Sequence, residues 1–276
     1  MFKIKIYKNY IGGKWILSQA GKTFFSLNPA TEQPIGKFQD SDERDVELAI
    51  NAAEKSFSNW RDTPAPKRAE ILFKIRDLLI KDKDRLAKLE VKEMGKIYNE
   101  ATGDVKEAID IFEYMAGEGR RLFGRTTPSE LKNKFNATIR IPIGIVGLIS
   151  PWNFPIAIPS WKIAPALICG NTIIFKPSSD TPLCAIELVK IIEKAGLQKG
   201  VLNLVTGSGA KVGNPIIKHS KIQGLSFTGS RETGKFIREN AGLKKINLEL
   251  GSKNAIIIME DANLDLALEG VLWGAF

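Results

Sequence analysis

At 276 residues the chain is long enough for one large domain or two of ordinary size, and 43% hydrophobic with 26% charged residues is the balance of a folded globular protein, not a disordered or membrane-embedded one. Two cysteines, Cys169 and Cys184, rule out a disulfide-rich scaffold and fit a reducing cytoplasm, and a lone histidine, His219, leaves no basis for a His/Cys metal site or a Ser-His-Asp triad. The net charge of +9 comes from lysines scattered along the chain, often beside acids as in Lys81-Asp82-Lys83-Asp84, so it reads as a solvated surface and not as a nucleic-acid face.

Along the chain, Lys3, Lys5 and Lys8 break any apolar leader core in Met1–Trp15. Tyr10–Trp15 predicts a hairpin turning at Gly12-Gly13, and Asn28-Pro29-Ala30-Thr31 a loop. Ser41 is placed to cap a first helix carrying Val46, Ala49, Ile50 and Ala53 on one face. Pro64 and Pro66 open a second helix, a third runs from about Asp82 to Met94, and a fourth from about Asn99 to Gly117. The first part of the chain is therefore expected to be mostly helical.

The pattern changes near Gly124. Lys134–Arg140, bracketed by Pro128 and Pro142, reads as an extended ribbon. Ile141–Ile149 is the longest apolar run, and Pro142, Gly144 and Gly147 keep it from being a membrane span. Short apolar runs then alternate with helical segments. The strands are Ile145–Ile149, Thr172–Phe175, Val201–Val205, Gly224–Phe227, Ile246–Leu248 and Ala255–Met259. The helices are Ile156–Cys169, Pro182–Ala195, Ala210–Lys218 and Glu232–Ala241, with a last one over Leu264–Phe276. That alternation predicts an α/β fold: a parallel sheet, Rossmann-like, with helices on both faces.

Five motifs could carry chemistry, and each has a plainer reading. Asn153 in Ser150-Pro151-Trp152-Asn153-Phe154-Pro155 follows a strand end, where its amide could face a developing oxyanion or merely cap the next helix; alone, the hexapeptide favours the cap. Lys176 in Phe175-Lys176-Pro177-Ser178-Ser179 could reach a nucleotide or lie on the surface. Gly207-Ser208-Gly209-Ala210-Lys211-Val212-Gly213 is one residue longer than a dinucleotide fingerprint and reads as a turn with a close helix–strand contact. Phe227-Thr228-Gly229-Ser230 opens a helix whose first amides could bind pyrophosphate, or Ser230 is an ordinary N-cap. Glu249 in Leu248–Lys253 sits at a strand end, where burial would raise its carboxyl towards the range of a general base, or it is a satisfied terminal carboxylate.

Taken in order, Ser150–Pro155, Lys176–Ser179, Phe227–Ser230 and Glu249–Lys253 resemble the aldehyde dehydrogenase superfamily, over essentially the whole chain. Tyr10–Trp15 is similar to that family's N-terminal hairpin, and Ala116–Arg120 with Trp161–Ser179 resembles members that oxidise semialdehydes of short carboxylic acids, such as α-ketoglutaric semialdehyde. The resemblance implies an NAD or NADP cofactor, a small-molecule aldehyde substrate, a homo-oligomer at full length, and neither nucleic-acid nor membrane partners. By the same resemblance Asn153 donates to the oxyanion, Lys176 contacts the adenosine ribose, and Ser230 with its helix holds the pyrophosphate. Ile149, Ser150, Pro151, Trp152, Ser178, Ser179, Gly209, Phe227, Thr228, Gly229, Thr233, Leu250 and Gly251 complete the implied cofactor site. Glu249 is the implied general base, which points to hydrolysis and a free acid rather than transfer to coenzyme A. Ser179 stands where NAD-preferring members often carry an acid, which would repel a 2′-phosphate, so acceptance of NADP is expected.

The implied domains are residues 1–123 with 143–250 for the cofactor, an oligomerisation ribbon over 124–142, and the start of a catalytic domain at 251–276. The family's nucleophilic cysteine falls beyond Phe276, so the chain alone is expected to be inactive. Cys169 reads as a small buried hydrophobe, while Cys184, in the first turn of a helix, could have its thiol pKa lowered by the dipole. Ser252 replaces the family's glycine where a positive φ could be wanted. Apolar residues of 255–276 are expected to lie exposed without their partners. The alternative reading is a non-catalytic NAD(P)-binding or oligomerising module.

Overall fold

The computed structural model describes residues 4–275; Met1–Lys3 and Phe276, which enter the expected leader argument, domain boundaries and last helix, lie outside the described residues. Strands β1 (Asn9–Ile11) and β2 (Lys14–Ile16) form the expected hairpin, with Gly12 and Gly13 at φ 61° and 79°, a left-handed region that other residues resist. A second hairpin, β3 (Thr23–Leu27) and β4 (Pro34–Gln39), was not legible, because Phe24, Phe25 and Phe38 do not alternate cleanly with polar residues. The Asn28–Thr31 loop is its turn, closed by Ala30 N–H donating to Asn28 Oδ1 at 2.9 Å.

Helix α1 (Glu43–Asp62) is capped by Asp42 in a reciprocal box with Asp45, one residue beyond the expected Ser41. Ser41 is buried, and its hydroxyl instead accepts from the Asn9 amide at 2.8 Å. The second and third expected helices are one, α2 (Ala65–Met94). The charged run at Lys81–Asp84 does not interrupt it, because those side chains face solvent and pair along the helix, Arg85 with Asp82 and Lys88 with Asp84. Helix α3 (Tyr98–Glu118) follows, then the antiparallel ribbon of β5 (Arg125–Pro128) and β6 (Phe135–Thr138), exposed throughout.

The α/β portion runs β7 (Ile145–Ile149), α4 (Ala157–Ile168), β8 (Thr172–Lys176), α5 (Pro182–Lys194) and β9 (Leu202–Leu204). A wide helical turn at Gly209–Gly213 leads into α6 (Asn214–Lys218), followed by β10 (Ile222–Gly229), α7 (Arg231–Asn240) and β11 (Lys245–Leu250). The sheet order is β11-β10-β7-β8-β9-β1-β2, parallel from β11 to β9 and closed by the antiparallel N-terminal hairpin.

Alternate residues of each central strand feed two cores. Val146, Leu148, Ile173 and Phe175 pack beneath α2–α5, whereas Ile145, Ile149 and Ile174 pack beneath α1, α6 and α7. Burial on both faces is why these strands read as continuous apolar runs. The N-terminal helices are thus the covering layers of the sheet.

Ala255–Met259, expected as a buried strand, is irregular and exposed, with Ile257 81% accessible. Beyond the edge strand β11 no described strand pairs with it, and an apolar run gains nothing from extending alone. Helix α8 (Leu264–Ala275) forms as expected but buries no residue, so Ile257, Met259, Leu264, Leu268 and Trp273 make the expected exposed apolar surface. No described helix is long and apolar enough to cross a membrane.

Candidate functional site

The chain leaves β7 towards β8 and later returns through β10 on the other side of β7. The strand order therefore reverses between β7 and β10, and the connections leaving their carboxyl ends diverge and open a crevice. A groove of about 760 Å³ lies there. Its walls are Ile149, Ser150, Pro151 and Trp152 after β7, Lys176, Ser178 and Ser179 after β8, Gly209 in the wide turn, Phe227, Thr228, Gly229 and Ser230 after β10, and Thr233 on α7. Of the expected cofactor contacts only Leu250 and Gly251 lie outside it. Leu250 instead covers α7 at Gly234, where a Cβ would meet its side chain at 2.6 Å. Asp180, Ala210, Gly213, Asn214, Ile217, Glu232 and Phe236 also line the groove. The motif ending at Gly213 signalled Ala210 and Gly213, and Asp180 follows the Lys176–Ser179 motif directly; Asn214, Ile217, Glu232 and Phe236 are brought in by helix packing.

Lys176 is not a surface lysine. It is 6% exposed, and its ammonium donates to the Pro177 carbonyl at 2.9 Å. Burial pushes its pKa down to about 8, against the opposing pull of Asp180. Ser179 Oγ donates to the Gly207 carbonyl at 3.1 Å, fastening the β8 loop to the glycine-rich loop. Ser230 is the N-cap of α7, accepting from the Thr233 N–H at 3.2 Å, and it sets the positive end of that helix at the groove wall. The plainer reading of Ser230 as a cap is thus correct, and it coexists with a place in the groove.

Asn153 is half-buried in the loop between β7 and α4 and does not cap the helix. The first α4 amide, Ala157 N–H, donates to Asp104 Oδ1 at 2.6 Å. The expected burial of Glu249 is corrected. Its side chain is 50% exposed because β11 is an edge strand. Partial burial still pushes its pKa up, but the Thr228 hydroxyl donating at 2.7 Å, the Lys162 ammonium at 3.5 Å and the Asn247 amide together hold the carboxyl below its usual range.

Glu249 lines a second groove of about 340 Å³ on the α4 side of the sheet, with Trp161, Lys162, Cys169, Ser226 and Asn247. Lys162 is the functional candidate that sequence reasoning missed. It is 5% exposed, reaches Ser226 Oγ at 3.0 Å, and is held below the normal lysine pKa by burial, with Glu249 opposing. Its signal was a lysine in the middle of an otherwise apolar helix. Asn153 lines neither groove.

Neither cysteine has a lowered pKa. Cys184 is fully buried, and burial with nearby Glu93, Glu90 and Asp104 pushes its thiol well up, reversing the expected effect of the helix dipole. Cys169 is half-buried, and burial raises it despite Arg68 and Arg140. Ser252 needs no glycine-like backbone, since Glu32 and Asn133 are the only described non-glycine residues at positive φ.

Residues 15–276 match the model of the aldehyde dehydrogenase family. Among curated relatives, the α-ketoglutaric semialdehyde dehydrogenase of Bacillus subtilis is 42% identical over 98% of this chain and 56% of its own length. The D-glyceraldehyde dehydrogenase (NADP(+)) of Picrophilus torridus is 41% identical over 98% and 55%. Among solved structures, betaine aldehyde dehydrogenase from Staphylococcus aureus in complex with NAD+ superposes with a TM-score of 0.95 at 35% identity, covering 98% of this chain and 55% of that one. The chain spans about half the length of the curated relatives it matches.

Proposed function

The chain belongs to the aldehyde dehydrogenase family, and on that premise we propose that the groove between β7 and β10 binds NAD+ or NADP+ in a protein that oxidises an aldehyde, of the short-acid semialdehyde kind, to the free acid. The observation that carries this reading is the convergence on one groove of a buried lysine, a capped helix N-terminus and the aromatic faces of Trp152 and Phe227. These suit a ribose, a pyrophosphate and flat rings respectively. When bound, the dinucleotide would supply the hydride acceptor. Lys176 would hold the adenosine ribose, Ser230 with α7 the pyrophosphate, Asn153 would donate its amide to the oxyanion, and Glu249 would serve as the base.

On this reading residues 1–123 with 143–250 make the cofactor domain, the exposed ribbon within 124–142 is an assembly arm, and 251–276 begins a catalytic domain. Thr228 and Lys162 hold the Glu249 carboxyl below its usual range, which supports its serving as the base in its ionised form. Its chemistry requires a thiolate that neither cysteine supplies. The 276 residues alone are therefore expected to form no NAD(P)H with any aldehyde. Aldehyde-dependent reduction that disappears in Glu249→Ala would overturn this.

NADP+ is expected to bind at least as tightly as NAD+. What supports this is the absence of a carboxylate at Ser179. The Ser179 hydroxyl is already given to Gly207, so its contribution is the missing charge rather than a free donor. Calorimetric titration of both dinucleotides tests it: Ser179→Glu should weaken NADP+ about tenfold more than NAD+, a difference of about 1.4 kcal/mol. Equal NADP+ dissociation constants for the two proteins would refute the role of Ser179. No binding of either dinucleotide would refute the functional reading itself.

A further inference from the structure

The α2–α3 turn buries a charged cluster that the proposed chemistry does not use. Glu90 on α2 and Asp104 on α3 have wholly buried side chains, and Lys96, in the turn between the helices, is 5% exposed. The Lys96 ammonium lies 3.1 Å from Glu90 Oε1 and 3.7 Å from Asp104 Oδ2. It also sits 3.7 Å from the centroid of the Phe154 ring. Phe154 is the neighbour of Asn153, and Asp104 Oδ1 accepts the Ala157 N–H three residues further on. Burying two carboxyls and an ammonium is costly, and a helix pair needs no such group to pack. The cluster touches the Asn153 loop from beneath at two points.

We propose that Lys96 is a positioning residue for the Asn153 loop: the Glu90 and Asp104 carboxyls fix its ammonium against the face of Phe154 while Asp104 fixes the backbone at Ala157. The significance of that loop rests on the reading of Trp152 and Asn153 given above. A desolvated cation over an aromatic face is among the stronger contacts of its kind. It restrains a ring that is itself 39% exposed and would otherwise be free to turn. Trp152, on the other side of Asn153, lines the nucleotide groove, so slack in the loop reaches that wall. The remaining titratable groups of this interior are committed elsewhere. The Glu93 carboxyl accepts from Leu183 and Cys184 N–H and from Ser26 Oγ, and the Cys184 thiol is buried.

The test uses the 276-residue chain labelled with 5-fluorotryptophan, with the fluorine resonance of Trp152 assigned by Trp152→Phe. Lys96→Met and Phe154→Leu should both move or broaden the Trp152 resonance while leaving that of Trp60, buried in the core, in place. Lys96→Arg should restore the wild-type position, because a guanidinium also stacks on an aromatic face. Both disruptive variants should weaken NAD+ about tenfold, on the order of a lost cation–π contact.

If Lys96→Met fails to fold, Phe154→Leu decides the matter, since it removes the ring face and leaves Lys96, Glu90 and Asp104 in place. A Trp152 resonance unmoved in Phe154→Leu overturns the proposal. So does one that moves only together with Trp60 and a fall in melting temperature, the mark of a purely structural cluster. Failure of the wild-type chain to bind NAD+ would overturn the functional reading instead, while the fluorine spectra still decide the clamp.

Discussion

Lys176→Met is expected to weaken NAD+ binding by about 10- to 100-fold, the order of 1.5–3 kcal/mol for a hydrogen bond from a charged donor. Lys176 is already buried at the groove wall, so a ligand hydroxyl would meet it without stripping much further water, and the bond would keep most of its strength. The pH dependence gives a second reading of the same group. With its pKa at about 8, Lys176 loses its proton within an accessible range, and wild-type affinity should fall as pH rises through that value. Lys176→Met should show no such fall.

The stability effect has the opposite sign. A lysine whose folded pKa lies below its ordinary 10.5 destabilises the fold while it is charged, and that cost fades as pH rises from about 8 towards 10.5. Lys176→Met should therefore be at least as resistant to urea as wild type at pH 7 while binding NAD+ poorly. Lost stability and lost binding together would make Lys176 a structural residue.

Glu90→Gln is expected to leave the chain about as stable as wild type near pH 5 and to make it about 2 kcal/mol or more stabler near pH 9, the order expected when a carboxyl pKa moves by two or more units. Burial raises Glu90 to about 9, helped by Asp104 and opposed by Lys96. The folded chain thus keeps a proton that the unfolded chain releases above about 4.5, and wild-type stability from this group is full at low pH and drains away as pH rises towards 9. Asp104, raised to about 6 by burial, adds the same sign over a lower window. Glutamine keeps the uncharged form that burial favours at Glu90. Urea denaturation of both proteins across this range checks it; parallel curves would mean that Glu90 is ionised in the folded chain.

The expected exposure of apolar residues near the end of the described chain is present in Ile257, Leu264 and Trp273. These 276 residues studied alone should therefore bind a hydrophobic dye and self-associate. A monodisperse monomer that does not bind the dye would show that this surface is covered.

What the amino-acid sequence determined by itself was local. Gly12-Gly13 required a turn, the apolar runs Ile145–Ile149 and Thr172–Phe175 required a parallel sheet covered on both faces, and four short motifs after strand ends marked walls of the groove between β7 and β10. The turn and the sheet rest on a backbone preference and a hydrophobic period that act over a few residues, and the motifs on a resemblance carried by their order along the chain. What only the tertiary structure decided was the environment of charged groups. Nothing near Lys176 in sequence says it is buried, and nothing near Glu249 says that an edge strand leaves it half exposed beside Lys162. The contacts of Lys96 with Asp104 on α3 and with Phe154, over fifty residues away, have no local trace either. A side chain's pKa and partners depend on which distant elements remove its water, and that is set by packing rather than by neighbours in the chain.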